Sequence, residues 1–171
     1  MKRKIYLLPL LAFICVFSIR CTKPSTEFNQ HGVSFTCPSG WEIDEVSEIE
    51  DGCYYICVEK SGFNSSGIVT IVTMGAEIDL EDCLSIFQGE IISQPIYTQL
   101  NMGEKVEGNY GQYAALCVHY TANVMSLPHE GRIHIFSANG KVICVNEQEA
   151  VEDKSKNAAG FETIRKSLKI E

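Results

Sequence analysis

The sequence predicts a single α+β domain in which two amphipathic helices pack on a mostly antiparallel sheet. Its 171 residues, 45% hydrophobic and 21% charged, have the length and composition of one globular domain. Several segments alternate apolar and polar residues, which is typical of strands, and two segments repeat apolar residues every three or four positions, which is typical of helices. The order is strands, helix, strands, helix, without internal repeats, and this order favours helices packed on an antiparallel sheet.

The first twenty residues have the pattern of an export signal. Residues 2–4 are basic, and residues 5–19 form an apolar stretch of 15 residues. A membrane-spanning helix needs about 20 apolar residues, so this stretch is too short for a span and has the length of a signal-peptide core. We therefore predict a signal peptide at residues 1–20.

Cys21 follows this stretch and precedes a polar segment, a layout that resembles a bacterial lipoprotein signal in which the cysteine becomes lipidated. Arg20 stands where the processing protease requires a small residue. Three alternatives remain open: lipidation of Cys21, ordinary signal cleavage nearby, or an uncleaved short anchor. Each predicts an exported protein of the cell envelope, either anchored in the inner or outer membrane, or free in the periplasm or secreted.

The first half of the domain contains three strands and a helix. A polar tether is predicted for residues 21–30, and strands for 32–37, 53–60 and 68–74. Trp41 follows a Pro-Ser-Gly turn, begins a short extended segment and is expected to pack over the sheet. A helix begins after its N-cap Asp79 and ends at Pro95.

The second half repeats this order. An irregular link is predicted for 96–102, a short strand for 105–107 and longer strands for 112–124, 132–136 and 141–145. Asn139 and Gly140 separate two β-branched runs, which is a strong signal for a hairpin. The segment 153–168 is helical, with Ala158, Phe161, Ile164 and Leu168 on one face.

The charge balance excludes one class of partner. The chain carries 14 basic and 22 acidic residues, a net charge of −8. Loss of residues 1–20 removes four basic residues and no acidic ones, which leaves −12. Such a surface repels phosphate backbones and anionic lipid headgroups. We expect no nucleic-acid partner and membrane contact only through the N-terminal anchor, while the ligand, a protein or a small molecule, is not identified.

Six cysteines remain in the mature chain: Cys37, Cys53, Cys57, Cys83, Cys117 and Cys144. An exported chain permits disulfides, and six cysteines allow fifteen pairings, among which the sequence does not choose. Several of them lie in apolar contexts typical of core thiols.

Metal binding finds little support in the sequence. Cys53 and Cys57 lie four apart on a strand, about 13 Å from each other, too far for one zinc ion. A run of six acids lacks the order of a calcium loop and is interpreted as a solvated edge; its members are Glu42, Asp44, Glu45, Glu48, Glu50 and Asp51.

Two pairs of residues resemble catalytic patterns, but strand geometry disfavours both. His129 and His134 lie five apart near a strand, on opposite faces, whereas zinc proteases need histidines four apart on a helix. Cys117 and His119 share a face but lie about 6.6 Å apart, beyond the contact that a nucleophile and its base require. His134 comes from a neighbouring strand and has Cys117 or Cys144 within reach, but no residue in the sequence activates either thiol. We predict no catalytic, cofactor-binding or metal-binding residue; a thiol- or histidine-dependent hydrolase is the alternative.

Both ends of the domain resemble PsbP-like and Mog1-like domains. The opening segment GVSFTCPSGW (residues 32–41) matches their pattern of spaced Gly, Phe, Pro and Trp. The C-terminal half matches at Gly111, Tyr113, Tyr120, Gly131, Asn139, Gly140, Lys141, Val142, Phe161, Ile164, Ser167 and Leu168, where Leu168 replaces a usual Phe. The resemblance covers about residues 31–170 and rests on core and turn positions.

This resemblance implies a compact α/β/α sandwich over residues 31–171 and, with the leader, an exported lipoprotein of the Bacteroidetes type. Such domains are mostly non-enzymatic, and they include photosystem-associated subunits, Ran-binding factors and exported bacterial proteins of unknown role. The photosystem and Ran roles do not transfer, because no residues match those that carry them. The expected function is therefore a non-enzymatic, exported and lipid-anchored binding or accessory module.

Overall fold

The computed structural model describes residues 23–62, 65–75 and 77–171. Within these ranges the chain forms ten strands and two α-helices. In chain order they are β1 (Thr26–Gln30), β2 (Val33–Cys37), β3 (Trp41–Glu50), β4 (Cys53–Lys60), β5 (Ile68–Gly75), α1 (Leu80–Ser93), β6 (Tyr97–Tyr110), β7 (Tyr113–Val124), β8 (Leu127–Ala138), β9 (Lys141–Ala150), α2 (Lys154–Ser167) and β10 (Lys169–Ile170). In these ranges neither helix has the length and apolar character needed to cross a bilayer. The predicted signal peptide at 1–20 and the lipidation site Cys21 lie outside the described residues.

Seven strands form the main sheet, in the order β3-β4-β5-β9-β8-β7-β6. Strands β1, β2 and β10 form a second, smaller sheet, and every pair in both sheets is antiparallel. The predicted hairpin at Asn139 and Gly140 is confirmed. Both residues have positive φ, 48° and 73°, which suits the tight turn that matches the twist of the two strands.

The two helices cover opposite faces of the main sheet, because alternate residues of each strand point to opposite sides. Phe161 and Ile164 of α2 pack on one face, in a core that includes Phe136 and Val145. Cys83 and Leu84 of α1 pack on the other face. The fold is therefore layered as expected, but the smaller sheet beside α2 makes it richer in strands than the balanced sandwich that the resemblance implied.

The helix boundaries follow local chemistry. Asp79 is the N-cap of α1, as predicted, and its Oδ1 accepts a hydrogen bond from the backbone N–H of Glu81 at 2.8 Å. Arg165 and Lys166 lie in the last turn of α2, where the helix dipole favours cations. Trp41 is buried and meets Phe161 edge-on at 5.3 Å between ring centroids, which confirms that it packs over the sheet.

Two sequence predictions were wrong. Residues Thr26–Gln30, predicted as part of a tether, form β1, because Phe28 turns inward and stacks on Phe35 at 4.9 Å. Only one of the five side chains of β1 is buried, so this segment lacks the apolar–polar alternation that identifies a strand. The link predicted for 96–102 is the beginning of β6, an edge strand whose register shifts twice and whose exposed polar residues conceal its strand character.

Candidate functional site

A polar cleft lies on the α2 side of the main sheet, where the apolar core ends. Arg132 of β8 is the direct cross-strand partner of Glu147 of β9, and Glu130 is the partner of Glu149. Directly opposed residues of an antiparallel pair point to the same face, so the pairing brings these four charged side chains together. With Gly131 and Phe161 they line a space of about 160 Å³, part of which is open to solvent.

The charges in this cleft are unequally compensated. The buried carboxylate of Glu147, only 2% exposed, accepts a hydrogen bond from Nη2 of Arg165 at 2.6 Å. Glu130 receives ion pairs from Arg132 at 3.3 Å and Lys154 at 2.8 Å. Glu149 is 4% exposed and forms no ion pair with any residue in the described ranges.

Two carboxylate oxygens of the residues that line the cleft are buried and have no hydrogen-bond partner among the described residues: Oε1 of Glu147 and Oε2 of Glu149. Burial raises the pKa of both carboxyl groups. Arg165 offsets part of this rise in the pKa of Glu147, and the nearby amide of Asn157 does so for Glu149. The Tyr110 hydroxyl and Asn157 Nδ2, which also lack a partner in the described ranges, each lower the pKa of one of these carboxyl groups, so the protein holds a donor near each oxygen.

Cys117 and His134 are in contact on the same face of the sheet. The distance between Cys117 Sγ and His134 Nδ1 is 3.2 Å, and both side chains are 7% exposed. Tyr110 packs against the imidazole with 4.9 Å between ring centroids, and the Arg165 guanidinium lies over the Tyr110 ring at 5.6 Å. The sequence analysis gave two thiols within reach of His134, Cys117 and Cys144. In the structure, His134 contacts Cys117.

The electrostatics of this pair oppose thiol chemistry. Burial, followed by the charges of Arg165 and Arg132, lowers the pKa of His134 to about 4. Burial raises the pKa of the Cys117 thiol, although Arg165 acts in the opposite direction. Both groups are therefore neutral at pH 7, whereas a nucleophilic cysteine needs to be a thiolate in an exposed, electropositive setting.

The remaining histidines do not join this pair. His129 Nδ1 lies 3.3 Å from Gln148 Nε2, on the opposite face of the sheet from His134, as strand geometry predicts for residues five apart. Burial and the nearby charge of Arg132 lower the pKa of His119. None of these three imidazoles belongs to a group of three or more metal-ligating side chains within the described residues.

A second polar cluster lies at the β3–β4 edge of the main sheet. Ligand atoms of Asp44, Cys57 and Glu59 all lie within 4.8 Å of one another. Asp44 is the extra residue where the register shifts between Ile43 and Glu45. Burial is the main reason that the pKa of Cys57 rises to about 11, and burial also raises the pKa of Glu59.

Sequence reasoning missed this cluster. In the sequence, Asp44 belongs to the acidic run, whereas Cys57 and Glu59 belong to the next strand, so no local spacing connects the three residues. The signal that joins them is a bulge, which no local sequence pattern announces. The six cysteines in the described ranges are all free thiols, so none of the fifteen pairings occurs among the described residues.

No protein-family model matches the sequence, and no curated protein matches it at a significant level. Solved structures do match. Cyanobacterial PsbP from Synechocystis aligns with a TM-score of 0.59 at 14% identity, covering 86% of this chain and 92% of that one. LpqN of Mycobacterium tuberculosis, described as involved in cell envelope biogenesis, aligns with a TM-score of 0.55 at 14% identity, over 85% and 90% of the chains.

The yeast Ran-binding protein Mog1p aligns with a TM-score of 0.51 at 5% identity, covering 85% of this chain and 95% of that one. These similarities confirm the predicted resemblance at the level of fold. The chain therefore has the fold of PsbP-like and Mog1-like proteins. At these identities the likeness concerns the fold alone, and function has to be argued from the residues of this chain.

Proposed function

We propose that this protein is an exported, non-enzymatic binding module, anchored through Cys21, that accepts a cationic side chain of a partner protein in the cleft beside α2. The observation that carries this proposal is the pair of buried carboxylates, Glu147 and Glu149, that line the cleft beside Glu130 and Arg132. The export and anchoring part rests on the leader pattern and on Cys21.

The size of the cleft supports recognition of a single group. Small-molecule sites enclose roughly 300–1,000 Å³. The space here is far smaller than such a site, because its enclosed part holds about one water-sized group, comparable to the ammonium group of a lysine side chain.

The charges in the cleft favour a cationic group as its ligand. Glu149 is the one carboxylate in the cleft without an ion pair in the described ranges, and its burial penalises the ionised form. A cation at this position would offset that penalty. The net charge of −12 in the mature chain would also speed the approach of a basic partner.

The test uses the intact protein in its native membrane fraction. A carbodiimide joins a carboxylate to a lysine amine that is already in contact with it. We expect an adduct whose cross-link maps to Glu149 and disappears in Glu149→Gln, whereas Glu152→Gln, which changes an exposed acid nearby, leaves it intact. Cross-links that are confined to exposed acids, or are unchanged in Glu149→Gln, would refute the cleft as the binding site.

Export and anchoring need a separate measurement. Intact-mass analysis of protein from the membrane fraction is expected to give a chain that begins at Cys21 and carries lipid mass. A full-length chain in the cytosol would contradict this part of the proposal and leave the cross-linking result to be judged separately.

A thiol-dependent hydrolase is the second candidate, favoured by the 3.2 Å contact between Cys117 and His134. Their burial and neutral charge states oppose it. If the binding proposal is right, iodoacetamide will not label Cys117 in the native protein at pH 7. A hydrolytic activity lost in both Cys117→Ala and His134→Ala would establish the hydrolase instead.

A further inference from the structure

The β3–β4 edge gathers three metal-ligating side chains of two chemical kinds. Cys57 provides a thiol, and Asp44 and Glu59 provide carboxylates, with the three ligand atoms within 4.8 Å of one another. This site lies on the opposite face of the sheet from the cleft beside α2. Cys57 alternates with Ile56 and Val58, which belong to the core on the α2 side.

Protection of the sheet edge does not explain this cluster. Strand β3 ends the seven-stranded sheet, and acids and a bulge on such a strand discourage pairing with other chains. Glu59 and Cys57, however, lie on β4, which is paired on both sides. Edge protection does not require a half-buried carboxylate and a buried thiol one strand further in.

The Cys57 thiol is aimed into the cluster. Its side chain is 5% exposed, and the acceptor at hydrogen-bond distance is Glu59 Oε1, 4.0 Å from Sγ. Asp44 and Glu59 form no ion pair within the described ranges, so no protein cation competes for the site. Of the surrounding acids, Glu42 is neutralised by Lys23, whereas Glu45 adds uncompensated negative charge.

We propose that Asp44, Cys57 and Glu59 bind one zinc-class divalent metal ion. A sulfur ligand excludes Mg²⁺ and Ca²⁺, which take oxygen ligands, and favours a borderline-soft ion such as Zn²⁺. Tetrahedral zinc with bonds of about 2.0–2.3 Å places its ligand atoms about 3.5 Å apart. On metal binding, the exposed Asp44 and half-exposed Glu59 side chains therefore move about 1 Å closer to the other ligand atoms. A water molecule supplies the fourth ligand.

Binding involves proton release and no redox change. The S–H bond of Cys57 breaks, the Zn–S bond forms, and the thiol proton leaves to solvent. The two carboxylates bind as anions, so the filled site carries less net negative charge than the empty one. This inference is independent of the binding function proposed for the cleft.

The test titrates the reduced, purified protein with cobalt chloride, because Co²⁺ replaces zinc and gives a near-ultraviolet charge-transfer band when bound to a thiolate. We expect one equivalent to produce the band and one equivalent of zinc chloride to abolish it. Cys57→Ser is expected to lose the band, whereas Cys53→Ser, which changes the other cysteine of the same strand, keeps it. Glu59→Gln and Asp44→Asn are expected to weaken binding at least tenfold, while Asp51→Asn leaves the affinity unchanged.

Several outcomes would overturn this assignment: no charge-transfer band in the wild-type protein, a band retained in Cys57→Ser, or equal weakening in Asp44→Asn and Asp51→Asn. Circular dichroism of each variant verifies folding. If Cys57→Ser does not fold, the assignment is decided by Glu59→Gln, whose half-exposed side chain is not part of the apolar core.

Discussion

Gly131→Ala is expected to destabilise the protein strongly, although it adds only one methyl group. Gly131 is the direct cross-strand partner of Tyr120, whose ring lies across the glycine. A Cβ at position 131 would fall far inside contact distance of the Tyr120 ring and hydroxyl. The ring is fully buried, and its hydroxyl donates to Asn146 Oδ1 or Gln148 Oε1, each 3.1 Å away, so the ring cannot move without losing this bonding.

The magnitude follows from two contributions. Overpacking of a close-packed interior costs about 1–3 kcal/mol, and a lost buried hydrogen bond adds about 0.5–1.5 kcal/mol. We therefore expect the free energy of unfolding to fall by about 2–4 kcal/mol, which lowers Tm by about 5–15 °C for a domain of this size.

The assay is urea unfolding followed by circular dichroism, with Gly75→Ala as the matched control. Gly75 also lies in a strand, but a Cβ added there meets no atom within 4 Å, so its alanine variant should stay within about 0.5 kcal/mol of wild type. A loss below 1 kcal/mol for Gly131→Ala, or equal losses in both variants, would refute the argument from Tyr120.

Three further predictions concern the buried charges. Burial raises the pKa of Glu149 in the folded protein, so ionisation of this carboxyl group reduces stability as pH rises through that pKa. Glu149→Gln should therefore stabilise the protein at pH 7, and urea unfolding should show that this gain disappears near pH 4. Arg165→Met leaves Glu147 without its counter-charge and should cost about 3–5 kcal/mol, part of which Glu147→Gln recovers in the double variant. The pKa of His134 is lowered to about 4 in the folded protein, so the free energy of unfolding should decline by about 3 kcal/mol as pH falls from 6.5 to 4. His134→Gln should make this decline smaller. If the pH dependence of the unfolding free energy is unchanged in the variant, other groups control acid unfolding.

Strong local periodicity made most of the fold predictable. The helix after Asp79, the hairpin at Asn139 and the helix with Phe161 carry their information in adjacent residues. Strands β1 and β6 have a weaker local sequence signal, since β1 buries only Phe28 and β6 lies exposed along the sheet edge. Their strand conformation depends on backbone pairing with β2 and β7, a long-range interaction that composition does not reveal.

The polar sites were less predictable, because each depends on cross-strand register. The strand predicted for 141–145 ends before Glu147 and Glu149, whereas β9 continues to Ala150. The two glutamates are buried because they share a face with Val145 and lie beneath α2, which contributes Arg165 from 18 residues away. In the same way, the bulge at Asp44 decides that an acid of β3 reaches Cys57. A shift of one residue in either register would separate these groups.

The two cysteines with polar contacts illustrate how the same side chain acquires different roles on one sheet. Cys117 is next to an imidazole, but the surrounding cations and the closed core keep His134 neutral, so it cannot stabilise a thiolate as an ion pair. Cys57 is among carboxylates, which oppose the thiolate until a cation arrives. In neither place does the protein itself activate sulfur, since activation requires exposure together with positive charge. Both proposals, one for each face of the sheet, therefore place a cationic group beside carboxylates and give sulfur no nucleophilic role.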